Sequence, residues 1–371
     1  MSSALPLSGR LVLEISRSDA SEVTARAIAL AGRIACDLGA DVVKLEPVAG
    51  CQLRRAPPFV AGADGEPVSA AHVFLDGGKR SVRLSAGDEG RAVQAALVAR
   101  AAAVLTDHEG VLDGTASSAG LNRVVVVHVA HGLPADCGID DALVTDTSVL
   151  AASGILDLVG DPNHAPIPLG GHQASYVAGL AAFSGLVTGL AMTERGEACA
   201  PVRVSAVEAC LWSNWKSFAE RLYMGQSPTR QGRNAEWQAL PCADGFAAFV
   251  YLDKDWPAIV RLIGDDRLAA PPLDTRAGRR AHMGDVLAIV GPWYRARTRA
   301  DIYRLAKASG LPIAPVLEMA EVVADQQFVS LAFFAEPVAV LVGDRARVPT
   351  LPVRWDDRRF PARSVAPEAA S

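Results

Sequence analysis

Within the first 45 residues a strand, a helix and a second strand follow one another, and this order constrains the fold more than any other feature. Leu11–Ile15 (LVLEI) is an apolar run after the turn Ser8-Gly9. Residues 25–38 carry small and apolar side chains at helical spacing, and Gly39 closes that helix. Residues 41–45 (DVVKL) are again strand-like. Two strands joined through a helix lie parallel, with a right-handed crossover. The rhythm continues with a strand at 80–84, a helix at 89–101, and strands at 103–106 and 123–129 (RVVVVHV). The last run is apolar on both alternations, as a strand covered on both faces requires. The first 130 residues therefore predict a doubly wound, Rossmann-like α/β domain.

A chain of 371 residues, half of them apolar, has material for about two cores. Residues 174–192 predict a long buried helix rich in Ala and Gly. Its most apolar part, 178–192, contains Gly and Ser and is expected to fall short of a membrane span. A strand at 202–204 and a helix at 208–223 follow. Composition then changes. Residues 227–237 are polar, with Arg230, Gly232 and Arg233, and predict a linker. Beyond it a smaller α+β unit is expected. Asp244-Gly245 signals a turn before the apolar run 246–252, and helices are predicted at 256–263 and 301–309, separated by a loop at 269–280. Residues 335–353 alternate like strands, and the tail after Arg363 is expected to be disordered. The predicted organisation is residues 1–225, the small domain 226–325, and a return at 326–371.

The net charge of −5 argues against a general nucleic-acid binder, so a bound anion needs a local pocket of cations or backbone N–H groups. The six cysteines lie at no metal-ligand or redox spacing, so no metal is expected and reduced thiols are. The N-terminus carries no signal-peptide pattern. A cytoplasmic enzyme without a membrane segment is the expected class.

Several blocks together resemble one family. They are Leu7-Ser8-Gly9-Arg10-Leu11-Val12-Leu13-Glu14, then Asp37-Leu38-Gly39-Ala40-Asp41-Val42-Val43-Lys44-Leu45-Glu46-Pro47, then Gly78-Lys79-Arg80-Ser81-Val82. After these come Asp146 with Ala152-Ser153-Gly154 and Gly160-Asp161-Pro162, Val204-Ser205 with Glu208-Ala209, Cys242-Ala243-Asp244-Gly245, and Ser309-Gly310-Leu311-Pro312-Ile313-Ala314-Pro315-Val316. Their order and reach are similar to the family III CoA-transferases, the group of the carnitine, bile-acid, formyl and oxalate CoA-transferases. The resemblance implies a large domain built from both chain ends, a small domain between, and an interlocked dimer. It also implies coenzyme A as co-substrate, with an acyl-CoA and a carboxylic acid as partners.

Transfer of CoA needs a carboxylate that attacks a thioester. In the family this is an Asp eight residues before a Gly, a spacing that Asp146 and Gly154 reproduce. Read by itself, Asp146 also suits a helix start, and Asp140, Asp141 and Asp157 are neighbouring acids. The family has Gln-Ala where this chain has Leu150-Ala151. By resemblance, Gly170 and Gly171 could present N–H groups to the reacting carbonyl, or could simply form a turn. His172 and Gln173 would meet the acyl group, and Gly225-Gln226 is a further glycine-loop candidate. The CoA phosphates want cations. Ser16 and Arg17 after the first strand, Lys44 and Glu46 on the second, Arg54 with Arg55, and Lys79 with Arg80 are the candidates that the resemblance implies. One departure stands out. Many members carry Asn-x-Arg-x-Gly where this chain has Thr106-Asp107-His108-Glu109-Gly110, acidic in place of basic, and Ala130-His131-Gly132 replaces a GFG-like run.

Two rival readings follow. One is the 2-methylacyl-CoA racemase branch of the same fold, which needs a His before the Asp and a second Asp downstream. Here Thr145 and Gly171-His172-Gln173 stand at those places. The other is a noncatalytic CoA-binding subunit of a heteromeric transferase, suggested by the altered 106–110 segment. Trp212, Trp215, Trp237 and Tyr223 hint at an apolar or aromatic acyl group.

Overall fold

β1 (Leu11–Ile15), α1 (Glu22–Asp37) and β2 (Asp41–Pro47) form the expected crossover, with Leu11 opposite Asp41 and Ile15 opposite Leu45 in parallel register. A computed structural model describes residues 5–62, 65–112, 123–134, 136–225, 230, 235–335, 348–355 and 358–360. The chain divides into two compact units. One holds residues 1–159, 167–228 and 327–371; the other holds 160–166 and 229–326.

In the larger unit, a short hairpin of β3 (Phe59–Ala61) and β4 (Pro67–Ser69) leads into α2 (Ala70–Leu75). Then come β5 (Arg80–Leu84), α3 (Asp88–Val98), β6 (Ala103–Thr106) and β7 (Val125–Ala130). Helix α4 (Asp146–Ala152), the long α5 (Gln173–Glu194) and β8 (Val202–Ser205) complete the layer. The six-stranded sheet has order β5-β2-β1-β6-β7-β8, parallel throughout. Its winding reverses between β1 and β6. In such sheets ligands bind at the carboxyl ends of the strands beside that reversal.

Helix α1 forms because Ser21 caps it, its hydroxyl accepting from the Thr24 N–H, and because Glu22 in the first turn suits the helix dipole. It is buried on nearly every side, between the sheet and α5. Small residues let α1 and α5 approach. A Cβ on Gly179 would lie 2.9 Å from the Ala27 carbonyl oxygen. The core stripe of α5 runs Ala174, Ala178, Ala182, Leu186 and Leu190, every fourth residue.

Four expectations need correction. Helix α5 has 22 residues, and among the described residues it alone is long and apolar enough to cross a membrane. It does not fall short in length; its packing on α1 and β7 gives it the role of a core helix. The helix at 208–223 is two, α6 (Ala206–Ser213) and α7 (Trp215–Met224), divided at Asn214. In the smaller unit, β10 (Gly245–Phe249) falls on the apolar run after the turn and helix α8 (Trp256–Ile263) lies where the sequence put it, while the strand antiparallel to β10, β9 (Gln238–Cys242), had no expectation. Its expected loop at 269–280 contains part of α9 (Arg276–Ala281), started by the Thr275 cap. Helix α10 (Met283–Arg295), which carries Pro292 inside it, was not expected at all; α11 (Arg299–Ala308) follows. Gln226, most of the linker at 227–237, most of 335–353 and the tail after Arg363 lie outside the described residues.

Candidate active site

Asp146 is the first residue of α4. Thr145 caps that helix in a reciprocal pair with Ser148, so Asp146 itself is not the cap. Capping is done by its neighbour, and the Asp146 carboxylate is free to face inward. It is 7% exposed. Both of its oxygens are held from the first turn of α5: the Ser175 N–H donates to Oδ1 at 2.9 Å and the Ser175 hydroxyl to Oδ2 at 2.6 Å. His172 brings its Nδ1 to 3.4 Å from Oδ2.

His172 holds its position through an unusual backbone. It has φ 57° and ψ 48°, the left-handed region, uncommon for a residue with a side chain. Such strain gathers at functional sites. Gly171 before it is also left-handed, at φ +84°. Gly170 and Gly171 are exposed, and Gly170 offers its carbonyl to the Gln173 amide at 3.0 Å. The Gly-Gly-His-Gln run therefore turns the chain into α5 and sets His172 over Asp146.

Glu22 of α1 joins this group. Its carboxylate, that of Asp146 and the imidazole of His172 each offer an atom within 4.8 Å of the others. Tyr176 and Cys210 flank it. Burial raises the Tyr176 phenol's pKa, with Arg26 opposing and Asp146 adding. Burial, then the Asp146 charge, pushes the Cys210 thiol up to about 11, so it is no nucleophile at neutral pH. Sequence reading missed Ser175, Glu22, Arg26 and Tyr176. Only Arg26, with Arg33 one of two cations in the largely apolar stretch 25–38, gave a signal.

The proposed CoA residues separate into three places. Ser16 and Arg17 end β1 at the reversal of the sheet. They border a crevice of about 290 Å³, and Arg17 also borders one of about 340 Å³ with Thr24, Asp107, His131 and Asp141. Arg17 is surrounded by acids. Its N–H donates to Asp107 at 2.9 Å and its guanidinium to Asp141 at 3.0 Å. Asp141 is also 3.0 Å from His131, so this competitor for the nucleophile is engaged elsewhere.

Lys44, Glu46, Arg54 and Lys79 belong to a buried network beneath the strand ends. Lys44 Nζ lies 2.7 Å from Asp76, and Lys79 Nζ donates to Asp76 at 2.9 Å and to the Ala29 carbonyl at 2.8 Å. Glu14 also pairs with both lysines. Burial disfavours the Lys44 ammonium, but the adjacent Asp76, Cys51 and Glu14 outweigh it and raise its pKa. Arg54 forks onto Glu46 at 2.7 and 2.8 Å and donates to His72 Nε2, which leaves the His72 Nδ1–H for Asp76. These cations are consumed internally, a placement that the sequence did not reveal. Cys51, His72 and Asp76 also converge within 4.8 Å, but Lys44 and Arg54 already bond that cluster.

Arg80 stands apart from both groups. It is exposed and pairs with Asp41 at the amino ends of β5 and β2, beside a cavity of about 710 Å³ at the opposite end of the sheet from Arg17. The structure does not bring Arg80 together with Ser16 and Arg17, because parallel strands send their two ends to opposite faces of the domain.

A parallel sheet with a crevice at its winding reversal, and a buried carboxyl held at a helix start, define an α/β protein of the open-sheet class. The family model for CoA-transferase family III matches residues 7–370, and the chain belongs to that family. It is 27% identical over 347 residues to succinate–glutarate CoA-transferase of Agrobacterium fabrum, covering 87% of this chain and 82% of that one. It is 24% identical to succinyl-CoA:mesaconate CoA-transferase of Haloarcula marismortui, covering 86% and 84%. A subunit of succinyl-CoA:(R)-benzylsuccinate CoA-transferase from Thauera aromatica is 24% identical, covering 89% and 85%. Among solved structures, a CAIB/BAIF family protein from Brucella suis matches with a TM-score of 0.80 at 26% identity, covering 99% and 97%. The chain is a family III CoA-transferase, with CoA as its co-substrate.

Proposed function

We propose that this protein moves CoA from an acyl-CoA to a carboxylic acid through Asp146. The carboxylate attacks the thioester carbonyl and expels CoA thiolate, leaving an acyl–aspartyl anhydride. The thiolate then attacks the aspartyl carbonyl, releasing the donor acid and forming an aspartyl-CoA thioester. An acceptor carboxylate repeats the sequence in reverse and leaves as the new acyl-CoA. No water enters, so the thioester bond energy is retained. The observation that carries this reading is the buried Asp146 carboxyl fixed by two donors of Ser175. Gly170 and Gly171 offer N–H groups that no side chain shields, and His172 and Gln173 edge the acyl site. Ser16 and Arg17 line the CoA side. Lys44, Glu46, Arg54 and Lys79 support it from beneath by fixing the ends of the strands.

Asp146→Asn keeps shape but removes the nucleophile. We expect transfer to fall about a thousandfold or more, read as exchange of labelled acid into the CoA-ester pool. Near-normal exchange in this variant would overturn the assignment. His172 beside Asp146 favours a second reading, proton transfer at Cα of a 2-methylacyl-CoA, since an imidazole ring nitrogen can take up a proton. The same assay in heavy water separates them: the transferase leaves Cα unlabelled, whereas a racemase deuterates it without any acceptor acid.

The assembly we propose is the interlocked homodimer. Trp212, Trp215, Phe218, Leu222 and Tyr223 on α6 and α7 are 81%, 66%, 59%, 62% and 88% exposed in the lone chain, and such a surface is unusual on a stable monomer. The Thauera aromatica relative, named as a subunit, makes a heteromer with a homologous chain the alternative, and with it the reading of this chain as a noncatalytic CoA-binding partner. The cysteines form no disulfide, in keeping with a cytoplasmic setting.

A further inference from the structure

Three arginines are buried among the described residues: Arg26, Arg33 and Arg279. Two are satisfied. Arg33 bonds Asp37 and the Phe74 carbonyl, and Arg279 bonds Asp253 and the carbonyls of Leu273 and Asp274. Arg26, 2% exposed, is not. Its Nε has no hydrogen-bond partner, and its nearest acid, Glu22, stands 3.9 Å from Nη2, beyond hydrogen-bond reach. A guanidinium keeps its charge and its five N–H donors wherever it is placed, so burying one without acceptors is costly unless an anion arrives.

The surroundings say where that anion would lie. Glu22, one helical turn before Arg26, contributes its carboxylate to the cluster with Asp146 and His172. Tyr176 feels Arg26 and Asp146 at once, with opposite sign. Arg26, Glu22, Tyr176, His172 and Asp146 thus gather near the starts of α1, α4 and α5. The reacting carboxyl of a substrate must meet Asp146. Glu22 neighbours both Asp146 and Arg26, and so links the guanidinium to the nucleophile.

We propose that Arg26 receives the second carboxylate of a dicarboxylic acid, or of its mono-CoA thioester, while the first reacts at Asp146. This rests on the transferase reading and names its substrate class. Glu22 holds Arg26 loosely in the empty site and gives way to the substrate, whose carboxylate can take the planar fork through two hydrogen bonds.

The experiment compares matched acids: succinate with butyrate, and glutarate with pentanoate. With succinyl-CoA as donor, wild-type protein should prefer the dicarboxylates in kcat/KM by about 100-fold or more. Arg26→Gln should lower that preference about 100-fold. Arg26→Lys, which keeps the charge but loses the fork, should fall between, and it serves as the readout if the Gln variant does not fold. Calorimetric titration of the same acids, which needs no chemistry, should show the same ordering, and Asp146→Asn should still bind dicarboxylates in preference. Equal binding of matched acids by wild type, or a preference unmoved in both Arg26 variants, overturns the proposal. A wild type that binds dicarboxylates in preference but exchanges CoA with no acid would sink the transferase reading while leaving Arg26 as the carboxylate receptor.

Discussion

Glu46 shows how one side chain ties the protein's stability to pH. Burial opposes its ionisation, yet the Arg54 and Ser81 bonds, the Cys51 N–H and the Arg54 charge bring its pKa down to about 2 from 4.5. A carboxylate with a lowered folded pKa contributes stability that is present above the unfolded value and lost as pH falls toward the folded one. Glu46 should therefore contribute about 2 kcal/mol at neutral pH, after a discount for solvent reaching Arg54. That contribution fades between pH 4.5 and about 2. Asp76, pulled well below its usual range against burial by Lys44, Lys79 and His72, acts in the same direction. Urea midpoints at about pH 6 and about pH 3.5 should show the difference between wild type and Glu46→Gln shrinking with acid; a constant difference would contradict it. At this scale the place of Asp146 at a helix start was legible in the sequence, because the residues that start the helix are local. Ser175, 29 residues away, was not, since only the folded chain brings the start of α5 to Asp146. The internal use of Lys44 and Lys79 was hidden for the same reason: a sequence shows that a cation exists, but not which acids close around it.

Helices α1 and α5 position the site through close approach, and glycine is what allows it. Gly179→Ala would press a methyl against the Ala27 carbonyl at 2.9 Å and against Leu30 at 3.0 Å. Helix backbone cannot yield as a side-chain tip does, so we expect a loss of about 1–3 kcal/mol. Gly284→Ala, in the exposed first turn of α10 with nothing near its added carbon, should instead be neutral or stabilise by about 0.5 kcal/mol. Thermal unfolding of both variants, followed unit by unit, tests the contrast, and similar behaviour of the two would refute it. The elements most legible from sequence were those with a strong period, the strands at 11–15 and 103–106 and the helix at 256–263. Helix α10 was missed because Pro292 sits inside it, where proline ordinarily ends a helix, and packing of Val286, Val290 and Tyr294 overrides that signal.

The whole molecule carries exposed rings that a lone chain does not need. If α6 and α7 meet a second copy, light scattering at micromolar concentration should give twice the mass of the chain and no folded monomer on dilution. Trp212→Ser with Tyr223→Ser should weaken that dimer. A stable monomer would remove the homodimer. The Rossmann-like class was legible because each crossover is local in sequence. The acidic character of the crevice around Arg17 could be read in residues 106–110, whereas its closure by Asp141 and His131 depends on loops that meet only in space.

The two bonds from Ser175 make the oxygens of Asp146 chemically distinct. A hydroxyl can rotate away from Oδ2, but the backbone N–H cannot leave Oδ1. Under the proposed chemistry Oδ2 is then the attacking atom and becomes the bridge of the anhydride. It departs with the released donor acid, and an oxygen from the acceptor replaces it. Oδ1 stays as the carbonyl oxygen, with the N–H beneath it as charge develops. Each turnover would thus renew one atom of the enzyme and keep its twin, so the carboxylate hands an oxygen isotope from one substrate molecule to the next.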